Sequence, residues 1–224
     1  AWFEDLNAGG IRSISFAHPS THAKDPTGDT TFDVANFVIS TDQAKVMLMQ
    51  ASAFDDIEED EEANAAAKRG ELLVQGMDSE LSGMSQHPTS GLFAVCDLGG
   101  RIYVWDSASK GLVMSAEFKG EPAMAVRYNG RGDTLAVGFV DGSIRVLDAS
   151  TLEVVAEFAE CKGCIEDIRF SDDSMYLVTQ DADKCVGVFK WTNKDEKLEN
   201  LEEWVYIGRF RGHYKPITAI HFGE

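Results

Sequence analysis

Residues 99–118 read GGRIYVWDSASKGLVMSAEF, and the pattern within them returns twice further along the chain. A turn leads into the strand-like run Arg101–Asp106, and a short polar turn then leads into a second apolar run at 112–118. The same frame begins again 42 residues later at Asp141 and, after a further 42 residues, at Asp183. Three copies at one spacing indicate an internal repeat.

A repeat of roughly 40 to 45 residues built from short alternating strands is typical of the blades of a β-propeller. Each blade is a four-stranded sheet with two faces, and a neighbouring blade has to cover the apolar surface that the sheet leaves exposed. The repeat therefore predicts an all-β chain of stacked blades that depend on one another for burial.

The 224 residues hold four such blades and the beginning of another. The first blade is larger than the rest, because Met49, which takes the place of Trp105, lies 56 residues before it. After the fourth blade, residues 211–222 are expected to form the first strand of a fifth. Closed β-propellers have roughly 4 to 8 blades, whereas four blades and one further strand would leave unpaired strand edges, which are avoided in water. We therefore expect residues 1–224 to be part of one larger propeller.

Three stretches interrupt the repeat, and we expect all three to be inserted loops on one face of the propeller. They are residues 17–31, 50–70 and 191–203, and each follows a first or a third strand. First and third strands of an antiparallel blade run parallel, so the connections that leave them emerge on the same side. Such one-sided insertions often mark a binding face, although loops also lengthen where nothing constrains them.

The sequence of the second insertion, 50–70, is compatible with two conformations. Acidic residues come first, basic residues come last, and Gly70 ends the run. This order suits the dipole and the C-cap of a short helix, but a solvated disordered loop explains it equally well.

The charge and composition exclude several classes of partner. A net charge of −18 argues against sequence-independent binding to nucleic acid or to an anionic membrane surface, because both depend on Lys and Arg. A partner with a basic surface is favoured instead. No run of 18 apolar residues occurs, and residues 1–20 show no secretory signal pattern, so we expect no membrane association. Four cysteines are too few for a disulfide framework, which favours a reducing compartment.

No motif for catalysis, cofactor binding or metal binding stands out, and we expect a chain that is not an enzyme. Cys161 and Cys164 have the spacing of a redox pair or half a zinc site, but no second pair follows at ligand distance. We expect them to be structural thiols. Asp141 and Asp183 lie two residues before third strands, where a carboxylate can accept N–H groups of the turn. These two residues are therefore expected to be turn acids and not a catalytic pair.

The runs Arg101–Asp106, 142–148 and Gly212-His213 resemble the WD40-repeat family. Residues 203–217, EWVYIGRFRGHYKPI, further resemble cilia- and flagella-associated WD-repeat proteins, a group that includes a subunit of the calmodulin- and spoke-associated complex. The resemblance implies that the motif residues hold the blades together and are structural. They are Trp105, Asp106, Asp141, Asp148, Asp183, Gly212 and His213. Gly99 in place of a turn acid and Lys190 in place of a closing Asp depart from the family pattern.

The resemblance also implies a function, namely a non-enzymatic protein–protein interaction scaffold of the ciliary or flagellar axoneme. The implied position is the base of a radial spoke on the doublet microtubule, in support of motility. The implied partners are the radial spoke base, the nexin-dynein regulatory complex, calmodulin and tubulin. Two alternatives stay open: a cytosolic WD40 adaptor in trafficking or ubiquitin ligation, and a hydrolase with a site at the central channel. The hydrolase would need catalytic side chains on the inner strands, but the inner-strand residues Ile14, Val126 and Ile168 are apolar.

Overall fold

The computed structural model describes residues 9–16, 36–50, 71–75, 77–194 and 201–223. In these residues the chain forms sixteen β-strands. No helix in them is long and apolar enough to cross a lipid bilayer. The all-β prediction is confirmed.

The strands group into four sheets of four strands, which we call blades 1 to 4 in chain order. Blade 1 consists of β1 (Ile11–Phe16), β2 (Asn36–Thr41), β3 (Val46–Gln50) and β4 (Glu71–Val74). Blade 2 consists of β5 (Leu81–Gln86), β6 (Leu92–Asp97), β7 (Arg101–Asp106) and β8 (Gly111–Glu117). Blade 3 consists of β9 (Ala123–Tyr128), β10 (Thr134–Phe139), β11 (Ile144–Asp148) and β12 (Val154–Phe158). Blade 4 consists of β13 (Ile165–Phe170), β14 (Tyr176–Asp181), β15 (Cys185–Lys194) and β16 (Leu201–Arg211).

The strands of each blade pair antiparallel in chain order, and the register between the second and third strands repeats with the sequence. The opposed residue pairs are Ala94 with Val104 in blade 2, Ala136 with Val146 in blade 3 and Val178 with Val188 in blade 4. Val38 opposite Leu48 is the corresponding pair of blade 1. The spacing read from residues 99–118 is therefore a structural repeat, as predicted.

The hairpin between the second and third strands also repeats, through one residue with a positive φ. That residue is Ala44, Gly100, Gly142 or Lys184, with φ of 54°, 83°, 90° and 64° respectively. A Cβ at Gly100 would lie 2.2 Å from the carbonyl oxygen of Phe118, and one at Gly142 would lie 2.6 Å from that of Cys161. Blades 2 and 3 therefore require glycine at this position for space as well as for backbone conformation.

The first strands of successive blades lie side by side, β1 next to β5, β5 next to β9 and β9 next to β13. Side chains bridge each junction. Ser15 Oγ accepts a hydrogen bond from the backbone N–H of Gln86 at 3.1 Å, and Ser85 Oγ accepts one from Tyr128 at 3.0 Å. Arg127 Nε donates to the carbonyl oxygen of Ile168 at 3.2 Å. The blades therefore follow one another around a common inner edge.

The hydrophobic core lies mainly between the blades. One cluster joins Val38 and Val46 of blade 1 to Leu81 and Phe93 of blade 2. A second joins blades 2 and 3, and a third joins blades 3 and 4 around Phe189. Fully burying one such aliphatic or aromatic side chain stabilises the fold by about 1.5–3 kcal/mol. Each blade therefore depends on its neighbour for burial, as the repeat predicts.

Two expectations need correction at the end of the chain. Residues 191–194 and 201–203 are paired strand, with Trp191 opposite Trp204, so the expected insertion at 191–203 is shorter than predicted.

Residues 212–223 form no strand, although Gln180 Nε2 donates to the carbonyl oxygen of Ile217 at 2.5 Å and holds this stretch against blade 4. The expected first strand of a fifth blade lacks a ladder partner among the described residues, and the four blades do not close into a ring. A strand needs such a partner for its N–H and C=O groups.

The other two insertions cannot be compared in the same way. Residues 17–31 and 51–70 lie outside the described residues. The two alternatives for the second insertion, a short helix or a disordered loop, therefore also fall outside them. Gln50 still belongs to β3, so the second insertion begins one residue later than expected.

Candidate protein-interaction site

Asp106 and Asp148, two of the predicted motif residues, end the third strands of blades 2 and 3 and hold the turns that follow. Asp106 accepts hydrogen bonds from the backbone N–H of Ala108 at 3.0 Å and from the hydroxyl of Ser109 at 2.8 Å. Asp148 accepts the N–H of Ser150 at 2.8 Å, as well as its hydroxyl. The serine hydroxyls and turn N–H groups lower the pKa of both carboxyls, which favours their ionised form.

The turn acids predicted at Asp141 and Asp183 are placed differently. Asp141 accepts the N–H of Ser143 at 2.9 Å and its hydroxyl at 2.7 Å, and the hydroxyl lowers the pKa of this carboxyl. The carboxylate of Asp183 instead lies 3.7 Å from Nη2 of Arg209, and the hydrogen bond from the turn goes to Asp181. Only the first of the two predictions describes the observed contacts.

Sequence reasoning missed two buried acids at the ends of second strands, Asp97 and Asp181. Asp97 accepts the backbone N–H of Arg101 at 2.9 Å, and Asp181 accepts that of Cys185 at 2.9 Å. Both carboxylates are almost fully buried. The two acids occupy the same position of the repeat, because they are separated by two repeat lengths. Phe139 takes that position in the repeat between them, so the pattern is not visible in the sequence.

The remaining motif residues do not meet at one site. Trp105 packs against the core between blades 1 and 2, in keeping with a packing role. Gly212 and His213 lie in an exposed stretch outside the strands, away from the interior of any blade. The Gly-His pair therefore makes no blade-internal hydrogen bond among the described residues, because no strand pairs with this stretch.

The cysteines are placed as structural thiols would be. All four are free, and Cys96, Cys161 and Cys185 are buried. Burial raises the pKa of Cys96 to about 12 and raises the pKa of Cys161 and of Cys164. A thiol held in its protonated form is a poor nucleophile and a poor metal ligand. Within the described ranges, no three His, Cys, Asp or Glu side chains are grouped so as to hold a metal ion.

The outer strands carry exposed apolar side chains, which is where another protein can reach them. The large apolar residues exposed on β8, β12 and β16 are Leu112, Val113, Val154, Val155, Ile207 and Phe210. Exposed apolar side chains of this size are candidates for contact with another protein.

Val155, one of these exposed residues, lines a groove between blades 3 and 4 that has a volume of about 580 Å³. Leu147, Val155, Met175, Trp191 and Trp204 supply its apolar lining. The rings of Trp191 and Trp204 meet edge to face with centroids 5.5 Å apart. Arg131, Asp133, Thr134 and Asp148 supply the polar lining. We call this the blade 3–4 groove.

The groove lies at the end of the sheets where first and third strands finish. Asp148 ends β11 and lies opposite Thr134, which begins β10. On the other wall, Trp191 and Trp204 pair near the end of β15. This is the side from which the long insertions are expected to leave the blades.

No protein-family model matches the chain. Among curated proteins, it is 26% identical over its whole length to cilia- and flagella-associated protein 251 of Chlamydomonas reinhardtii, of which it covers 27%. It is 30% identical, over 99% of its length, to the mouse protein of the same name, of which it covers 17%. Over 68% of its length it is 30% identical to mouse echinoderm microtubule-associated protein-like 2, of which it covers 22%.

The chain thus spans between 17% and 27% of the length of these cilia- and flagella-associated relatives. The similarity nevertheless extends over all four blades, since the alignments with cilia- and flagella-associated protein 251 cover at least 99% of the chain. Repeated antiparallel blades and these similarities lead to one conclusion: the chain is a partial β-propeller of the WD40 type that resembles cilia- and flagella-associated protein 251.

Proposed function

We propose that this chain is a non-enzymatic protein–protein interaction scaffold of the ciliary or flagellar axoneme. Relatives named cilia- and flagella-associated protein 251 in Chlamydomonas reinhardtii, Tetrahymena thermophila, mouse and Pongo abelii support a ciliary or flagellar location. The observation that carries the scaffold role is the exposed apolar surface on the outer strands, which includes Val113, Val155 and Phe210. In a stack of blades these strands are the part most accessible to other proteins.

A more specific position follows from the resemblance of residues 203–217 to ciliary WD-repeat proteins. The proposed position is the base of a radial spoke on the doublet microtubule, where the chain would support motility. Its partners would be the spoke base and the nexin-dynein regulatory complex, with calmodulin and tubulin as further partners. Similarity to proteins named for association with microtubules supports a cytoskeletal setting.

The proposed binding face is the one where first and third strands end. In blade 1 these ends are Phe16 and Gln50, directly before the insertions at 17–31 and 51–70. In blade 4 the third strand ends at Lys194, before the connection 195–200. The insertions and the blade 3–4 groove would then serve the same side of the molecule.

The surroundings of His87, which is half-buried, support a role without catalysis. Nε2 of His87 lies 3.1 Å from the carbonyl oxygen of Gly132, and Nδ1 accepts the N–H of Thr89 at 3.2 Å. Its ring packs edge to face against Tyr128 at 5.0 Å. Both ring nitrogens are thus engaged in holding turns together, as expected for a structural histidine.

Deletion of the gene in a ciliated cell, followed by comparison of axonemal proteins, tests the scaffold role. We expect loss of spoke or regulatory proteins from the mutant axonemes, reduced beating, and recovery of both with the tagged full-length protein. The tagged protein should also pull those proteins down from salt-extracted axonemes. Normal axonemes together with a tagged protein confined to the cytosol would favour the cytosolic adaptor.

A further inference from the structure

The blade 3–4 groove has the dimensions and lining of a site for a bulky apolar side chain. Its volume of about 580 Å³ falls within the range of roughly 300–1,000 Å³ that is usual for binding clefts. Val155 on one wall is 55% exposed, so the apolar surface is open to solvent. Trp191 and Trp204 line the opposite wall, where Trp191 is partly exposed and Trp204 is only 7% exposed. Aromatic side chains such as Trp191 are enriched in protein interfaces.

The rim of the groove is acidic. Asp133 and Asp148 line it, and exposed Glu153 adjoins it, since its carbonyl oxygen accepts the N–H of Asp148 at 2.9 Å. The turn of blade 4 adds two further exposed carboxylates, Asp172 and Asp173.

This turn lies next to the groove, because a Cβ on Gly130 would lie 3.3 Å from the carbonyl oxygen of Asp172. Arg131 is the cation among the residues that line the groove, and its Nε lies 3.4 Å from Asp133. The groove and the turns beside it thus carry five acidic residues, while one arginine lines the groove, in a chain whose net charge is −18.

We propose that the blade 3–4 groove binds a segment of a partner protein in which Lys or Arg side chains flank a bulky apolar side chain. The apolar side chain packs against Val155 and Trp191, and the flanking cations meet the carboxylates of the rim. Charge complementarity of this kind speeds association and rejects acidic partners. The proposal rests on the scaffold function, since it assumes a protein ligand, and it adds the site and the chemistry of that ligand.

Fluorescence anisotropy with the purified full-length protein tests this directly. The probe is a short fluorescein-labelled synthetic peptide in which lysines flank a pair of leucines. One comparison peptide carries glutamates in place of the lysines, and another carries serines in place of the leucines. We expect the first peptide to bind, both comparison peptides to bind at least tenfold more weakly, and the affinity of the first to fall as salt rises.

Two pairs of variants assign the binding to this groove. Val155→Lys places a cation in the groove, and Val113→Lys is its control, because Val113 occupies the same slot of blade 2 and is 49% exposed. Glu153→Lys reverses a charge at the groove end of β12, and Glu160→Lys makes the same change beyond the other end. We expect Val155→Lys and Glu153→Lys to weaken peptide binding by about tenfold, and both controls to change it by less than about twofold.

All four positions are exposed, so the variants should keep the parent circular dichroism spectrum and melting curve. Equal weakening by Val155→Lys and Val113→Lys, or equal binding of the lysine and glutamate peptides, would overturn the proposal. These outcomes are independent of the deletion experiment. If the peptide binds normally but the protein is absent from the axoneme, only the scaffold function is contradicted. If the protein is present in the axoneme but binds no peptide, only the proposed groove site is contradicted.

Discussion

Asp181 receives a hydrogen bond of 2.8 Å from Nη2 of Arg209, and the two residues join the second and fourth strands of blade 4 across β15. The other carboxylate oxygen of Asp181 accepts the backbone N–H of Cys185 at 2.9 Å. The side chain of Asp181 is 1% exposed and that of Arg209 is 21% exposed. A charge this deeply buried is tolerated only when it is paired and hydrogen-bonded.

Asp181→Ala should therefore destabilise the chain strongly. The substitution leaves the guanidinium of Arg209 half-buried without its main partner and the N–H of Cys185 without an acceptor. We expect the free energy of unfolding in urea to fall by about 2–4 kcal/mol. Asp183→Ala is the control, because this carboxylate is half exposed and lies 3.7 Å from Arg209. A similar loss in both variants would show that the buried pair has no special role.

The hairpin glycine of blade 3 should not tolerate a side chain. Gly142→Ala puts a Cβ 2.6 Å from the carbonyl oxygen of Cys161 at a φ of +90°. We expect a loss of stability of more than about 2 kcal/mol, from backbone strain and the clash together. Gly120 has a similar φ of +77°, but a Cβ at this position would meet open space. Gly120→Ala should therefore lower the free energy of unfolding by only about 1 kcal/mol, from backbone strain alone. Thermal melts of the two variants measure the difference.

Removal of a side chain between two blades should destabilise both. Phe189 is fully buried, and its ring lies 4.6 Å from that of Phe158 in blade 3. Phe189→Ala should lower the free energy of unfolding by about 3–5 kcal/mol, from lost burial and the cavity left behind. Hydrogen exchange should then quicken in blades 3 and 4 together. Exchange that quickens in blade 4 alone would contradict mutual burial.

Stability should fall in acid because of the turn carboxyls. The pKa of Asp106, Asp141 and Asp148 is lowered from the ordinary value of 3.8 in the folded chain, mainly by serine hydroxyls. A lowered folded pKa gives stability that is present above 3.8 and is lost as the pH falls through the lower, folded value. The urea concentration at the midpoint of unfolding should therefore decrease once the pH is lowered below about 4. In Asp141→Asn that drop should be shallower, and an unchanged pH profile would contradict this origin.

The sequence predicts the blades because their signal is repeated. The spacing from Trp105 to Leu147 and Phe189 places the third strands, and burial of those positions between blades follows from the alternation of apolar residues. Turn carboxylates such as Asp141 are predictable for the same reason, since their partners lie within two residues along the chain.

Contacts between distant residues could not be predicted in this way. Asp181 depends on Arg209, 28 residues away, and no other blade repeats that ion pair within the described residues. The length of β15 and β16 depends on the pairing of Trp191 with Trp204, which the polar residues between them conceal. The blade 3–4 groove needs side chains from two blades, so it appears only once their packing is known.

Cryo-electron tomography of axonemes that contain the full-length protein with a density tag tests the scaffold function most directly. We expect the averaged map to show tag density at the base of one radial spoke in every repeat along the doublet microtubule, and the spoke to be missing in the deletion strain. Axonemes without tag density, in cells that hold the tagged protein in the cytosol, would contradict the proposed function.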